Sequence, residues 1–278
     1  MVARELEYAL RFEVPGEVPA DPRSWCGPRW RRALPAGRLT AVYFGSEFCE
    51  ERLPSAAEAS CLCTFARDRG LEAVLLTPLV RPGGLARVDR LLAELATEGL
   101  APAVVFNDWG VLRLLRERYP DLPPRGGRLL NRGLRDPRLA AEARPGYGAG
   151  ERGRHLRELL RRLGATAVET DPDLDGGFLG EGGERLQRTL HLPYVFAASG
   201  RACLLKASAA ADEGAFSRAF ASGCAQPCRT GALPERRPDT PLPLLRAGNT
   251  LFYEAPEALA AGYLPHADRI VVHRRPAP

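Results

Sequence analysis

The stretch LEAVLLTPLVRPGGLARVDRLLAELATEGLAPAVVFNDWGVLRLLRERY, residues 71–119, decides the fold. It reads as strand Leu71 to Val80, helix Leu85 to Gly99, strand Ala101 to Asp108 and helix Trp109 to Tyr119. Each strand is followed by a helix long enough to cross back over a sheet. Repeated units of this kind, joined by right-handed crossovers, argue for parallel strands.

The alternation extends in both directions. Upstream, Tyr8 to Val14 alternates apolar and charged residues as a first strand, and Thr40 to Gly45 is a near-continuous apolar run ending in glycine, as in a strand buried on both faces. Pro54 then opens a helix, SAAEASCLCTFARDRG, that Gly70 stops. Downstream come a short strand at Gly127 to Asn131, a Gly/Pro/Arg-rich connection, a helix at Arg154 to Gly164 and a strand at Ala165 to Thr170. Leu186 to Leu192 and Asp268 to Arg274 supply two more strands, the second preceded by the helix APEALAAGYL. Eight strands interleaved with helices predict an α/β fold: a single (β/α)8 TIM-barrel-like domain over residues 1–278, irregular or incomplete in places. A cysteine-bearing insertion, residues 203–231, lies in its C-terminal third.

The chain has 278 residues, of which 45% are hydrophobic and 26% charged, ordinary values for a globular protein with a sizeable core. Its net charge is +5, and Lys206 is the only lysine. No alternation of aromatic and basic residues accompanies that charge, so nucleic acid is not an expected partner. The N-terminal MVARELEYALRFEV lacks a signal-peptide apolar run, and no window reaches the length of a membrane helix, so a cytoplasmic location without membrane insertion is expected. Seven cysteines, an odd count in that setting, speak for reduced thiols and metal ligation over a disulfide framework. No HExxH, P-loop or GxGxxG is present, and no Ser/His/Asp order stands out.

Cys203, Cys224 and Cys228 fall in a segment too irregular for one helix or strand. In Cys224-Ala-Gln-Pro-Cys228, Pro227 with Gly223 and Gly231 favours a turn that brings two thiolates to one side, where they can share a metal centre. Cys203 is a third candidate ligand. Cys49 is the fourth, because it and Cys203 both follow strand C-terminal ends, the face of a (β/α)8 barrel that carries its functional groups. Arg52, Arg201, Lys206 and Arg229 flank these thiols and are candidates to offset their charge. Cys61 and Cys63, one residue apart on a predicted helix, point to different faces and read as buried small residues. Cys26 reads as structural. Asn107, Asp108, Asn131 and His191 fall at or near strand C-terminal ends and are candidate pocket residues, Asp108 being also a natural N-cap. Four thiolates suit either zinc or an iron–sulfur cluster.

Five segments, AVYFGSEFCEER (41–52), FNDWGVLRLL (106–115), GRLLN (127–131), HLPYVFAASGRACLLK (191–206) and CAQPC (224–228), together resemble the UbiU/UbiV group of the collagenase-like peptidase superfamily. The resemblance runs from about Tyr8 to Pro276. It implies a 4Fe-4S cluster on Cys49, Cys203, Cys224 and Cys228. It also implies a role in oxygen-independent hydroxylation of the kind used in ubiquinone biosynthesis, with a UbiU-like homologous subunit as partner and prephenate as possible hydroxyl donor. Peptidase activity is not expected. The sequence departs from the group's pattern at Glu50-Glu51, where a basic pair is usual, and at His273, where arginine is expected.

Overall fold

The computed structural model describes residues 5–130, 149–172, 186–207, 214–220 and 223–278. Eight parallel strands close a barrel: β1 (Glu7–Arg11), β2 (Arg38–Gly45), β3 (Glu72–Leu76), β4 (Ala103–Phe106), β5 (Pro124–Gly126), β6 (Ala167–Thr170), β7 (Gln187–Leu192) and β12 (Arg269–Val272). β12 closes the ring between β7 and β1, with Leu10 opposite Val272 and Val272 opposite Leu192. The expected (β/α)8 architecture is therefore a complete, closed barrel. Its outer helices include α1 (Pro28–Ala33), α2 (Ala56–Arg67), α3 (Pro82–Thr97), α4 (Trp109–Arg118), α5 (Ala149–Arg162) and α8 (Glu257–Tyr263). Ser55 and Glu58 form a reciprocal capping box that starts α2, satisfying two backbone donors that have no partner inside the helix.

One strand is displaced. Of the run Gly127 to Asn131, the described residues 127–130 do not form a strand; β5 lies just before them, and the Gly127 N–H, at the start of a turn, donates to Phe106 O at 2.8 Å. The reason is steric: a Cβ on Gly127 would sit 2.3 Å from Asn107 Oδ1, so the chain passes too close to β4's end for any side chain.

Outside the barrel wall, apolar side chains such as Leu10, Phe44, Leu75, Val104 and Ile270 pack against the helices. The barrel interior is different. A small apolar belt, including Ala9, Tyr43, Val74, Val105 and Val271, separates two charged layers. At the floor, Arg269 binds Glu7 at 2.8 Å and Glu72 at 2.6 Å, while Arg125 reaches Glu169 at 3.0 Å and Gln187 at 2.7 Å. The upper layer belongs to the site described next.

Between β7 and β12 the chain builds a second sheet. It is antiparallel, in the order β8 (Tyr194–Ser199), β11 (Thr250–Glu254), β10 (Leu244–Ala247) and β9 (Leu233–Glu235). The short helices α6 (Leu204–Ala207) and α7 (Ala215–Phe220) follow β8. Cys203 to Cys228 falls between β8 and β9, the two edge strands of this sheet. No described helix is long and apolar enough to cross a membrane.

Candidate metal centre

β2 ends at Gly45, whose φ of +95° suits glycine and whose Cβ would meet Leu76 O at 2.5 Å. The chain turns sharply there and enters the loop that carries Cys49. Ser46 Oγ accepts the Cys49 N–H at 3.1 Å, fixing the loop's shape. From the other side, Asn249 Nδ2 donates to both Phe48 O and Gly200 O at 2.6 Å, tying the Cys49 loop to the end of β8, three residues before Cys203. The CAQPC turn is fastened to the same loop by Gln226. With φ at +55°, Gln226 directs its amide to Glu51 O and accepts from Arg52 Nη1 at 3.2 Å.

These ties bring Cys49, Cys203, Cys224 and Cys228 onto the wall of one cavity of about 700 Å³ at the barrel mouth. Phe48, Trp109, Leu129 and Phe220 supply apolar surface around them. All four thiols are free, and Cys228 is buried. Burial pushes the Cys49 thiol up to about 11, with the charges of Cys228, Cys203 and Cys224 adding to the rise. Cys203 and Cys228 are raised as well, first by burial, while the Arg52 charge pulls Cys228 back. Sulfur also accepts backbone N–H groups: Lys206 N–H donates to Cys203 Sγ at 3.4 Å and Gln226 N–H to Cys224 Sγ at 3.2 Å. Arg52 is buried, binds Glu13 at 2.7 Å, and keeps its Nε–H without an acceptor among the described residues. Four thiols on one cavity wall, with backbone donors already aimed at two of the sulfurs, form a donor set suited to a cationic metal core, whose binding would displace their protons. Among the described residues no three Cys, His, Asp or Glu side chains converge on the position of a single ion. The four cysteines share the lining of one cavity.

The flanking cations divide. Arg52, Arg201 and Lys206 line the thiol cavity. Arg229 does not: it pairs with Glu58 at 3.0 Å and lines a different cavity. Among the pocket candidates, Asn107 and Asp108 line the thiol cavity, but both serve the backbone. Asn107 donates to Thr77 O and accepts from Leu129 N–H, each at 2.8 Å; Asp108 caps α4 through Gly110 N–H at 2.7 Å and also accepts from Val80 N–H. His191, on β7, is fully buried in the barrel interior and does not line the thiol cavity. Asn131 lies outside the described residues. Cys63 is buried in α2 as expected, but Cys61 is exposed on the opposite face, and Cys26 is held by a bond from its Sγ to Arg23 O at 3.3 Å.

Beneath the cavity sits the upper charged layer. Arg128, 2% exposed, donates to Glu47 Oε2 at 2.8 Å and to Asp171 Oδ1 at 2.8 Å, and its guanidinium lies 5.1 Å from the centre of the Phe48 ring. Burial alone would raise Glu47; the Arg128 charge overrides it and holds the carboxyl below its usual range. Beside this cluster, His191 Nε2 meets Glu169 Oε2 and His191 Nδ1 meets His273 Nε2, both at 2.8 Å. The sequence carried a signal for this layer that the strand-by-strand reading passes over: charged or polar residues at alternate positions of apolar strands, as in Glu169/Asp171 and Thr189/His191.

No protein-family model matches the sequence, and no curated protein matches it. Among solved structures, a U32 peptidase is similar over 100% of this chain and 96% of its own, at 15% identity and a TM-score of 0.46. An immunomodulatory chitinase from Trichuris suis aligns over 95% of this chain and 90% of its own, with 9% identity and a TM-score of 0.36. A glycoside hydrolase family 18 N-acetylglucosaminidase from Paenibacillus barengoltzii aligns over 84% and 88%, with 11% identity and a TM-score of 0.33.

Proposed function

We propose that the chain is an iron–sulfur protein in which Cys49, Cys203, Cys224 and Cys228 hold a 4Fe-4S cluster. The observation that carries this reading is the gathering of four thiols, from loops as far apart as residues 49 and 228, onto one cavity wall. Zinc would also accept four thiolates, and the resemblance of the quoted segments is what favours the cluster over it. When bound, such a cluster supplies one-electron chemistry and a Lewis-acidic metal. The protein's own contribution is to hold the thiols in place through Asn249 and Gln226, to offset negative charge with Arg52 and backbone N–H groups, and to keep apolar walls at Phe48 and Leu129.

In line with the resemblance of the quoted segments to the UbiU/UbiV group, we assign the cluster to an oxygen-independent hydroxylation, with this chain as one subunit beside a UbiU-like partner and prephenate as the hydroxyl donor. A second reading has its own observation. Among the described residues the cavity's carboxylates are engaged, Glu50 by Arg81 at 2.9 Å, Glu51 by Arg81 at 3.8 Å and Asp108 by its helix cap, which leaves no evident acid–base pair beside the thiols there. That favours a non-catalytic metal module that holds loops together or docks a partner.

Anaerobic purification with metal and sulfide analysis tests the first reading. A brown protein with equal iron and sulfide, whose visible absorption bleaches on reduction, is expected. Colourless protein with stoichiometric zinc overturns it. Cys224→Ser should lose the iron, while Cys61→Ser, on the exposed face of α2, should retain it. Hydroxylated product lost in Cys224→Ser while the fold persists separates the catalytic role from the structural one.

A further inference from the structure

A file of hydrogen-bonded side chains that the thiol site does not use runs through the barrel interior. Glu169 on β6 and His191 on β7 are fully buried there. His191 is the register partner of Val271, and the ladder runs one step past β12, where the His273 N–H donates to Leu192 O at 2.8 Å. His273, two residues beyond Val271, therefore keeps the inward side. The three side chains join end to end: Glu169 Oε2 lies 2.8 Å from His191 Nε2, and His191 Nδ1 lies 2.8 Å from His273 Nε2. The file has one open end. His273 lines a second cavity, of about 950 Å³, at the C-terminal ends of β1 and β12, and its Nδ1 has no partner among the described residues.

Two proton arrangements satisfy every bond in this file. In the first, Glu169 is a carboxylate, His191 donates to it from Nε2, and His273 donates from Nε2 to His191 Nδ1. In the second, Glu169 is a carboxylic acid that donates from Oε2 to His191 Nε2, His191 donates from Nδ1 to His273 Nε2, and His273 holds its proton on Nδ1. Glu169 Oε1 serves both, accepting from Tyr43 Oη–H at 3.1 Å and from Arg125 Nε–H at 3.0 Å. Arg125 is not stranded by the neutral acid, because it also reaches Glu72 at 3.4 Å and donates to Gln187 at 2.7 Å and Thr189 at 3.2 Å. The arrangements differ by one proton. It enters at His273 Nδ1; His273 passes the proton of its Nε2 to His191 Nδ1, and His191 passes the proton of its Nε2 to Glu169 Oε2. Both rings are neutral before and after.

We propose that Glu169, His191 and His273 form a relay that takes one proton from the second cavity, stores it on Glu169 deep in the barrel, and returns it by the same bonds. The surroundings fit such a store. Facing it are Tyr43, Arg125 and Arg269 at Glu169, Arg128, Glu47, Asp171 and Arg11 at His191, and Arg128 and Arg11 at His273. Burial raises the Glu169 carboxyl in spite of its two arginines, whereas burial lowers His191 and His273, with Arg128 adding to the effect on both rings. An added proton therefore rests on the carboxyl, and neither ring becomes an imidazolium. The relay shares no thiol with the metal centre, and its test needs no metal.

The chain has four histidines, so His155→Gln and His266→Gln, neither of them at a buried position, leave these two rings alone in a nitrogen-15 histidine spectrum. Spectra of that full chain between about pH 5 and about pH 9 distinguish the two neutral tautomers from each other and from imidazolium. Both rings are expected to pass together, in one step, from the Nδ1–H form at low pH to the Nε2–H form at high pH. An imidazolium at either ring, rings that switch at different pH, or no switch in that range overturns the proposal. Glu169→Gln gives a second reading, since its amide N–H donates to His191 Nε2 while its oxygen keeps Tyr43 and Arg125, copying the protonated acid. Both rings should then stay in the Nδ1–H form throughout; a switch that survives this change places the proton elsewhere and overturns the store. The titration of the chain with Glu169 in place decides the matter whether or not this variant folds.

Discussion

Arg128 shows how much rests on single buried charges. It neutralises Glu47 and Asp171 together, in a place where neither reaches water. Removing it strands two carboxylates, so Arg128→Met should cost about 3–5 kcal/mol in urea unfolding. His191 sets a pH dependence. Burial, followed by the Arg128 charge, holds its imidazole down at about 3 against an ordinary 6.5. Between those values the unfolded chain takes up a proton that the folded chain refuses. The stabilisation is therefore complete above about pH 6.5 and is lost as the pH falls, by about 1.4 kcal/mol per unit for this residue alone. Urea midpoints at pH 7 and pH 5 check the sign: the lower pH should give the lower midpoint. The thiols were legible in the sequence because cysteine spacing and strand ends point to them together. Gln226 and Asn249 were not, since an amide that bridges two loops has no pattern until the loops have met.

At the level of elements, the barrel was legible wherever strand and helix periods alternate cleanly, as in residues 71–119. It slipped at β5. The run GRLLN has the apolar content of a strand, but Gly127 must pass against Asn107 and Arg128 must turn inward to its carboxylates. Gly127→Ala is expected to destabilise the fold by about 1–3 kcal/mol through overpacking, read as a lower thermal midpoint. Ser55→Ala, which removes one side of the α2 capping box, should cost about 1 kcal/mol by the same measurement. The second sheet also escaped the reading, although LPLLRAGNTLFYE holds its signal. Gly248 and Asn249 join β10 to β11, with Ala247 opposite Thr250, the spacing of a tight hairpin.

For the whole molecule, the four-thiol cavity is where barrel and second sheet meet. Asn249 is the pin between them, on Phe48 O and Gly200 O. Asn249→Ala leaves both carbonyls without that donor and should cost roughly 1–3 kcal/mol, with faster amide hydrogen exchange in residues 46–53 and 199–203 and little change at the barrel floor. If the proposed cluster is bound, removing it should loosen the same two segments, since its bonds to the thiols no longer link the loops. The floor itself behaves differently on heating. Arg125, Arg269 and Glu169 are buried ions at the base of the barrel, with Glu7 and Glu72 beside them partly exposed. The hydration that these groups forgo becomes less favourable as temperature rises, whereas the gain from apolar burial levels off. An apolar floor of equal volume would match this one in the cold and lose ground to it in the heat, so the ionic base acts as a thermal ballast for the mouth above it.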